Sequence, residues 1–587
     1  MRRAILSAVT ALVVITLSAC GGGGGTPPSG PSVTVSPATA NVQEGANQQF
    51  TAAVTGTTST AVTWQVNGVA GGTAATGLIN SNGLYTAPVV IPSPASITIT
   101  AVSQSNSGVS GNSIVTITAV QFSNSSIKGN YVFSLSGVGT SGLPFYLVGA
   151  VSADGNGNIT AGEADWNSVA LGYIRVPAST ITGTYSVGSD GRGVLNLNMP
   201  ALNTQFSYAL ALKALDNAVL NEIDGQVIAG TGNLETQSGP LLTPANFAFG
   251  FSGITTCGAI NSAGIFNLSG GTLGGVQDVN SCGSITQAQA LSGTYTSVDS
   301  FGRGTGNFSG NSGSSNFVYY VVTTGSYRFM SPNSATLFLG GANIQVQPSF
   351  ANTDFSGGYV VSTSANTKSV AGGGVSYTLI QMNASNGNVS SGYYDVNDTG
   401  VVGQANLTGA YTLNSNGRIN GSFSVNGVGL PFAMYLYSPS QGYYLDERTS
   451  IYGGGGSIYG QNSAVNTNSA WAGSYATKQF GYFISSAGTI VPSNATAITG
   501  QISSNGSGTL AGTLDIIDPV SIYLPPQTLQ GTYNITNVAP GRMTVAITTP
   551  TDGTRNYVGY IVDQTRVVLL DVDSGAITAG GDAVRQF

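Results

Sequence analysis

Short apolar stretches alternate with polar residues along almost the whole of this chain. Segments such as Tyr131-Val-Phe-Ser-Leu135 and Phe206-Ser-Tyr-Ala-Leu-Ala211 place an apolar side chain at every second position, and turns rich in Gly and Asn separate them. A period of two is typical of a β-strand that buries one face. After residue 20, no run approaches the roughly 18–20 consecutive apolar residues of a transmembrane helix. The pattern therefore predicts an all-β protein.

From about residue 128, five short landmarks recur in the same order four times. Each copy opens on Gly-x-Tyr, with Asn246-Phe247 as a degenerate second version, and continues with Gly-x-x-Asp, a second Gly-x-Tyr, Gly-Arg and a final strand that ends in Gln. The aspartates are Asp165, Asp278, Asp395 and Asp515, the second tyrosines are Tyr185, Tyr295, Tyr411 and Tyr533, the arginines are Arg192, Arg303, Arg418 and Arg542, and the glutamines are Gln237, Gln347, Gln461 and Gln586.

These landmarks predict four homologous modules, at residues 128–237, 244–347, 354–461 and 470–587. Each copy is the size of a domain, since solenoid and propeller repeats are only about 20–50 residues long. Each holds several short alternating strands, and a sheet that closes or forms two layers hides its edges. We therefore expect every module to be an antiparallel β-barrel or β-sandwich.

Residues 32–120 predict a separate, smaller β domain. Its alternating strands include Val62-Thr-Trp-Gln-Val66 and Ile97-Thr-Ile-Thr-Ala-Val102, with Gly83-Leu-Tyr-Thr-Ala-Pro88 between them. Together with Val66-Asn-Gly68, these segments closely resemble bacterial Ig-like domains of group 2. The resemblance implies a β-sandwich in which Trp64 packs between two sheets, and a role as a spacer or adhesion module on a cell surface.

The first residues have the layout of an export signal. Arg2 and Arg3 precede an apolar run that is too short for a membrane span and closes on Leu17-Ser-Ala-Cys20. This ending resembles the bacterial lipobox, which implies a signal peptide at 1–19, lipid on Cys20 and a Gly/Pro-rich tether at 20–31. An ordinary secretory signal with a chance cysteine is the alternative. Gly21, where inner-membrane retention signals have aspartate, favours the outer membrane or the cell surface.

Composition narrows the chemistry. The chain has 587 residues and no histidine, so catalytic triads and histidine-containing zinc sites are excluded. The net charge is −7 and no basic cluster follows the first residues, which argues against nucleic acid as a partner. The 27 Tyr and 21 Phe supply apolar surface to bury, which argues against a disordered chain. Cys257 and Cys282 remain as a pair, and in an exported protein they most simply form a disulfide.

Three sets of repeated residues are candidates for chemistry. Oxygen-rich Asp/Asn/Gly loops near Asp165, Asp278, Asp395 and Asp515 are the type of ligand that Ca²⁺ prefers, although the same residues also cap turns. The arginine of each Gly-Arg pair is expected to pair with the Gly-x-x-Asp carboxylate of its own copy or to be exposed, and a carboxylate ligand is the alternative. The repeated tyrosines are predicted to be core residues, and a row of exposed sugar-stacking rings is the alternative.

Taken together, the sequence predicts a non-enzymatic, lipid-anchored envelope protein that contacts a polysaccharide, a matrix or another surface protein. No cofactor is implied beyond the calcium alternative. A carbohydrate-active enzyme is the second hypothesis, because two carboxylates about 5–10 Å apart can cleave a glycosidic bond. Its candidate pairs are Asp515 with Asp518 and Asp571 with Asp573. A structural scaffold on which other proteins dock is the third.

Overall fold

The computed structural model describes residues 30–214, 217–239, 244–310, 313–367, 374–484, 490–517, 524–575 and 577–586. The predicted export signal, Cys20 and nearly all of the predicted tether lie outside these ranges. The chain divides into two compact units, Met1–Thr118 and Ala119–Phe587. Almost every described element is a β-strand, so the prediction of an all-β protein is confirmed. In the described residues, no helix is long and apolar enough to cross a membrane.

The first unit is a small β structure with three sheets. Their strand orders are β2-β11-β10-β5-β6, β3-β9-β8-β7 and β1-β4. Trp64 is buried in the core of this unit with Phe50 and Tyr85. The strands are β1 (Ser32–Ser36), β2 (Thr39–Gln43), β3 (Asn47–Gln49), β4 (Thr51–Thr55), β5 (Val62–Val66), β6 (Val69–Ala70), β7 (Gly72–Thr73), β8 (Gly77–Ile79), β9 (Leu84–Thr86), β10 (Ser96–Ser103) and β11 (Ser110–Thr118).

The second unit begins with a barrel that carries one additional strand. Eight strands close on themselves through the pairing of β13 with β14, and β15 adds to the free part of β14. We call this module barrel 1. Its strands are β12 (Lys128–Gly139), β13 (Pro144–Asp154), β14 (Asn158–Ser168), β15 (Gly172–Val176), β16 (Thr182–Val187), β17 (Arg192–Met199), β18 (Thr204–Ala214), β19 (Asn217–Glu222) and β20 (Val227–Thr236).

Barrels 2 and 3 are closed, and each has eight antiparallel strands in sequence order. Barrel 2 consists of β21 (Asn246–Thr255), β22 (Gly258–Ser269), β23 (Thr272–Ser281), β24 (Ser284–Tyr295), β25 (Arg303–Gly310), β26 (Gly313–Thr323), β27 (Ser326–Met330) and β28 (Thr336–Ile344). Barrel 3 consists of β29 (Gly357–Thr367), β30 (Gly374–Ser385), β31 (Asn388–Asp398), β32 (Val401–Leu413), β33 (Arg418–Val425), β34 (Val428–Ser438), β35 (Gln441–Asp446) and β36 (Ile451–Gln461).

Barrel 4 completes the unit and is also closed. It consists of β37 (Ala472–Ile484), β38 (Ile490–Asn505), β39 (Thr509–Ile517), β40 (Leu524–Ile535), β41 (Arg542–Thr549), β42 (Gly553–Asp563), β43 (Arg566–Asp571) and β44 (Ile577–Arg585). In the described part of this unit, short 3-10 helices precede the first strand, at Asn124–Ser126, and lie between later strands, at Pro200–Leu202, Asn352–Asp354 and Asn468–Ala470.

The alternation seen in the sequence explains why these modules are barrels. On each strand the inward positions are apolar and fill a separate core within each barrel. Closure pairs every strand of the barrel wall on both sides and so leaves no free sheet edge except at the additional strand β15. Of the two predicted architectures, the structure therefore adopts the barrel.

Apolar residues on the outer faces join neighbouring barrels. Separate clusters link barrel 1 to barrel 2, barrel 2 to barrel 3, barrel 3 to barrel 4, and barrel 4 back to barrel 1. Val132 packs with Tyr320 in the first of these, and Val138 packs with Ala497 in the last. The four barrels thus form a closed ring, in which the last module contacts the first.

Candidate functional site

The repeated aspartate of each barrel binds the repeated arginine of the next barrel. Between barrels 1 and 2, Arg303 donates from Nε to Asp165 Oδ2 at 2.7 Å and from Nη2 to Asp165 Oδ1 at 2.9 Å. Both side chains are buried, with 9% of the arginine and none of the aspartate exposed. A two-pronged bond of this kind fixes both distance and orientation. The pair therefore aligns the two barrels.

The same geometry recurs at the next two junctions. Arg418 of barrel 3 donates two hydrogen bonds to Asp278 of barrel 2, at 2.7 and 3.0 Å. Arg542 of barrel 4 donates two to Asp395 of barrel 3, at 2.9 and 2.7 Å. At the junction that closes the ring, Arg192 of barrel 1 donates from Nη2 to Asp515 of barrel 4 at 2.7 Å.

The expectation that each arginine pairs within its own copy is therefore wrong. The arginine begins the fifth strand of its barrel in barrels 2 to 4, and the aspartate lies on the third strand, two strands away around the wall. Side chains that point outward from separate strands of one barrel diverge, whereas those of adjacent barrels meet. Removal of one partner would leave a buried charge uncompensated.

A buried tyrosine completes three of the four junctions. Tyr320 donates its hydroxyl to Asp165 Oδ2 at 2.7 Å, and Tyr435 and Tyr560 do the same for Asp278 and Asp395, at 2.7 and 2.5 Å. Burial raises the pKa of all three tyrosines, so each hydroxyl keeps its proton for donation. These tyrosines are not among the repeated landmarks of the sequence, although each lies on the strand after the one that the repeated arginine begins.

The glutamines at or just after the end of the last strand of each barrel form a second repeated contact between barrels. Gln237 donates to the backbone carbonyls of Phe301 and Val321 in barrel 2, both at 2.8 Å. Its amide nitrogen would lie 2.5 Å from a Cβ atom at Gly302, and this glycine has φ +77°. Both observations explain why glycine precedes the repeated arginine. Equivalent bonds are made by Gln345, Gln461 and Gln586.

In the second module the predicted landmark glutamine, Gln347, is not the one that bridges two barrels. Gln345, not Gln347, donates to the backbone carbonyls of Asn416 and Leu436 in barrel 3, both at 2.9 Å. Gln347 instead binds Ser349 and Asp354 within the connecting segment. Two glutamines lie two residues apart here, and the sequence alone does not distinguish them.

The junction between barrels 4 and 1 differs from the other three. Ala211 stands opposite Arg192, where the other arginines face Tyr320, Tyr435 and Tyr560 across their strand pairs. The Nε atom of Arg192 is buried without a hydrogen-bond partner. Asn221 of barrel 1 compensates in part by donating to the carbonyl of Ala497 at 3.3 Å. This junction therefore lacks the tyrosine hydroxyl and the arginine Nε hydrogen bond that the other three junctions have.

The calcium hypothesis for the four repeated aspartates does not fit this geometry. Their carboxylates accept hydrogen bonds from arginine, and in three of the junctions from tyrosine. Among the described residues, no three Asp, Glu or Cys side chains are grouped closely enough to hold a metal ion. In the nearby loop, Asp154 accepts hydrogen bonds from the backbone of Asn156 and Asn158, as a turn cap does.

The remaining candidate residues have structural environments. Tyr185, Tyr411 and Tyr533 are buried, and their hydroxyls bind backbone carbonyls of the segment that enters each barrel; Tyr295 is half-buried. A disulfide joins Cys257 to Cys282, whose Cα atoms are 6.1 Å apart.

The carboxylate pairs of the enzyme hypothesis also have structural neighbours. Asp573 accepts hydrogen bonds from the backbone and the side chain of Asn556. Asp571 is buried and accepts from the backbone of Asp573, and burial raises its pKa to about 7. Asp515 binds Arg192, and Asp518 lies outside the described residues.

A cavity of about 580 Å³ lies where all four barrels meet. Barrel 1 contributes Lys213, Asn233 and Glu235, and barrel 2 contributes Arg328 and Asn343. Barrel 4 contributes charged residues from its first strand and its last two strands. Barrel 3 contributes mainly hydroxyl-bearing side chains. The members from barrels 3 and 4 include Ser362, Thr363, Tyr377, Tyr437, Tyr443, Tyr459, Lys478, Arg566 and Asp582.

Ion pairs neutralise only some of these charges. Arg328 of barrel 2 binds Glu235 of barrel 1 through two bonds of 2.7 and 2.6 Å. Arg566 binds Asp582 within barrel 4 at 2.5 Å. Lys213 and Lys478 both donate to Asn233 Oδ1, at 3.0 and 3.1 Å, and no salt bridge in the described part of the chain includes either lysine.

Comparisons with known proteins show only distant likenesses. No family model matches the chain, and no curated protein does. Similar solved structures include a double mutant of transferrin binding protein B from Haemophilus parasuis, which is 10% identical over 63% of this chain and 82% of that chain, with a TM-score of 0.17. Transferrin binding protein B from Neisseria meningitidis is 10% identical over 64% and 83%, with a TM-score of 0.18. The FrpB iron transporter of Neisseria meningitidis is 7% identical over 86% and 88%, with a TM-score of 0.12. TM-scores this low do not establish a shared fold.

Proposed function

We propose that this chain is a non-enzymatic binding protein of the cell envelope, held at a membrane by lipid on Cys20. In this proposal the residues of the first unit form a group 2 Ig-like domain, which separates the anchor from the ring along the chain. The ring is the binding unit, and its partners are polysaccharides or other surface molecules. The outer membrane or the cell surface is the proposed location.

The observation that carries the proposal is the use of the repeated residues. Asp165 binds Arg303, and the equivalent residues bind one another around the ring. Residues that recur in every module are therefore engaged in assembly and are not available as four separate active sites or four weak binding sites. Charged residues that the repeat does not share, such as Lys213 and Lys478, line the cavity at the centre of the ring, and a single shared site fits this arrangement better than avidity among four copies.

Location and binding are tested separately. Metabolic labelling with an alkyne analogue of palmitate should label the wild-type protein and fail to label Cys20→Ala. Protease treatment of intact cells should release the ring from wild-type cells. A protein that carries no lipid and stays protected from the protease inside intact cells would contradict the proposed anchor and location.

Binding is measured with the purified protein on arrays of polysaccharides and matrix components, with glycan turnover monitored in parallel. Turnover of any bound glycan would contradict the non-enzymatic role.

A further inference from the structure

The central cavity combines two ammonium groups that form no salt bridge with any carboxylate in the described part of the chain. Lys213 comes from barrel 1 and Lys478 from barrel 4, and both donate to the same oxygen of Asn233. Since each nitrogen lies within 3.1 Å of that atom, the two nitrogens are at most about 6 Å apart. An ammonium group has three donors, so each lysine keeps donors for another acceptor. Two like charges this close favour an anion between them.

The other charges of the cavity do not cancel this excess. Arg328 and Arg566 are each matched by one carboxylate, Glu235 and Asp582 respectively. The cavity therefore holds four cationic side chains against two carboxylates among its lining residues. Water can contact its charged walls, because the side chains of Arg328 and Arg566 are 20% and 29% exposed. Its excess charge contrasts with a net charge of −7 for the whole chain.

The walls beside the lysines suit a carbohydrate. Tyr377, Tyr437 and Tyr443 of barrel 3 line the cavity and are half-buried, and Ser362, Thr363 and Ser457 add hydroxyl groups. Tyr459 also lines it, with the guanidinium of Arg566 over its ring at 4.7 Å. Aromatic rings beside neutral donors and acceptors are the surroundings in which sugar rings stack and hydrogen-bond. The volume lies within the range of about 300–1,000 Å³ for small-molecule sites.

The lysines occupy positions that the repeat does not conserve between modules. Lys478 lies on the first strand of barrel 4, three residues after the opening tyrosine Tyr475. The corresponding residues of barrels 1, 2 and 3 are Ser134, Gly250 and Ser362. The four barrels therefore form similar walls, but the two lysines lie together at one side of the cavity. This asymmetry favours one ligand in one orientation.

We propose that this cavity binds one acidic oligosaccharide, with a carboxylate or sulfate group held between Lys213 and Lys478 and sugar rings against the tyrosines of barrel 3. This inference rests on the proposed binding function and specifies its ligand class and site. Lipidation and surface display do not enter it, because its test uses purified protein. Failure of the lipidation and surface-display tests would therefore leave the proposed cavity site intact, and failure of the cavity site would leave lipidation and surface display intact.

The test is isothermal titration calorimetry of the purified protein with a galacturonic acid trisaccharide and with a heparin-derived tetrasaccharide. Maltotriose serves as the neutral probe and sodium sulfate as the free anion. We expect one site per chain for at least one acidic probe, with affinity at least tenfold above that for maltotriose and for sulfate. Lys213→Gln and Lys478→Gln should each weaken this binding at least tenfold. Lys128→Gln, at an exposed lysine of barrel 1, is the matched control and should bind like wild type.

Several outcomes would overturn the proposal. Absence of binding by both acidic probes would remove the ligand class. Sulfate binding as tight as that of the best oligosaccharide would reduce the site to a free-anion site. Affinity unchanged in both lysine variants would place the binding elsewhere. Circular dichroism of each variant guards against misfolding, and crystals soaked with the bound oligosaccharide would locate it directly.

Discussion

Gln586 donates its side-chain amide to the backbone carbonyl of Leu212 at 2.9 Å, across 374 residues of chain. A second bond reaches the carbonyl of Asp190 at 3.1 Å. The amide also lies against Gly191, where a Cβ atom would be 2.8 Å away. The end of the chain thus closes the ring with the same device that joins the earlier modules.

Gln586→Ala should destabilise the protein by about 1–3 kcal/mol, because it leaves the two carbonyls without this donor. Urea denaturation monitored by tyrosine fluorescence gives the change. Gln347→Ala is the matched control, since Gln347 binds only within the segment between barrels 2 and 3, and we expect a loss of under about 1 kcal/mol. Equal losses in the two variants would contradict a role for Gln586 in closing the ring.

Arg303→Met should cost about 3–5 kcal/mol, because it leaves Asp165 charged and buried without its partner. The double variant Asp165→Leu with Arg303→Met should recover part of that loss. Arg192→Met should cost less than Arg303→Met. Its side chain is more exposed, at 16%, and its Nε atom already lacks a partner. Thermal and urea unfolding of the three variants rank them, and a larger loss for Arg192→Met would refute the proposed order of junction strength.

The protein should be more stable at pH 5 than at pH 9. Burial, together with the neighbouring Asp224, raises the pKa of Glu222 to about 9, and burial also raises the pKa of Glu163 and Glu447 to about 7. A carboxyl group whose pKa is higher in the folded state than in the unfolded state contributes stability. This contribution is complete below the unfolded-state pKa and is lost as the pH rises through the folded-state pKa. For Glu222 that window runs from about 4.5 to about 9.

Glu222→Gln should therefore raise the melting temperature more at pH 9 than at pH 5. Differential scanning calorimetry at pH 5, 7 and 9 measures the effect. Gln48→Ala, which removes no ionisable group from the first unit, is the control and should leave the pH dependence as in wild type. If Glu222→Gln melts in parallel with wild type at all three values, ionisation of Glu222 does not control the stability of the fold.

Affinity for the acidic oligosaccharide should fall above pH 8. Burial lowers the pKa of Lys213 to about 8 and lowers that of Lys478 as well. Glu235, Asp582, Arg328 and Arg566 also face these lysines. Calorimetric titrations at pH 6, 7, 8 and 9 measure the loss. Lys213→Arg keeps its charge and should retain more affinity at pH 9 than wild type, and a profile identical to that of wild type would exclude Lys213 as the titrating group.

Much of the fold is evident in the sequence because it depends on local pattern. Alternation along strands such as Gly193-Val-Leu-Asn-Leu197 predicts the β-structure, and turns with Gly and Asn mark the strand ends. The choice between barrel and sandwich depends on whether the first strand of a module pairs with its last, as β21 does with β28. That pairing is long-range, and alternation alone does not encode it.

The contacts between modules were predicted less well for a different reason. Asp165 and Asp278 are the same landmark in successive copies, so the repeat pattern does not say which of them Arg303 binds. Only the packing of adjacent barrels distinguishes the two. The central lysines gave no signal at all, because Lys213 and Lys478 are far apart in sequence and belong to no repeated motif.

The pairing of each aspartate with the arginine of the following module makes every contact head-to-tail. Contacts of this kind form open filaments unless the rotation between neighbours brings the last unit back to the first. Here the pair of Arg192 with Asp515 completes the circuit after four modules. The number of copies is thus set by geometry, and recombination that removed or duplicated one module would leave an unmatched aspartate at one end and an unmatched arginine at the other.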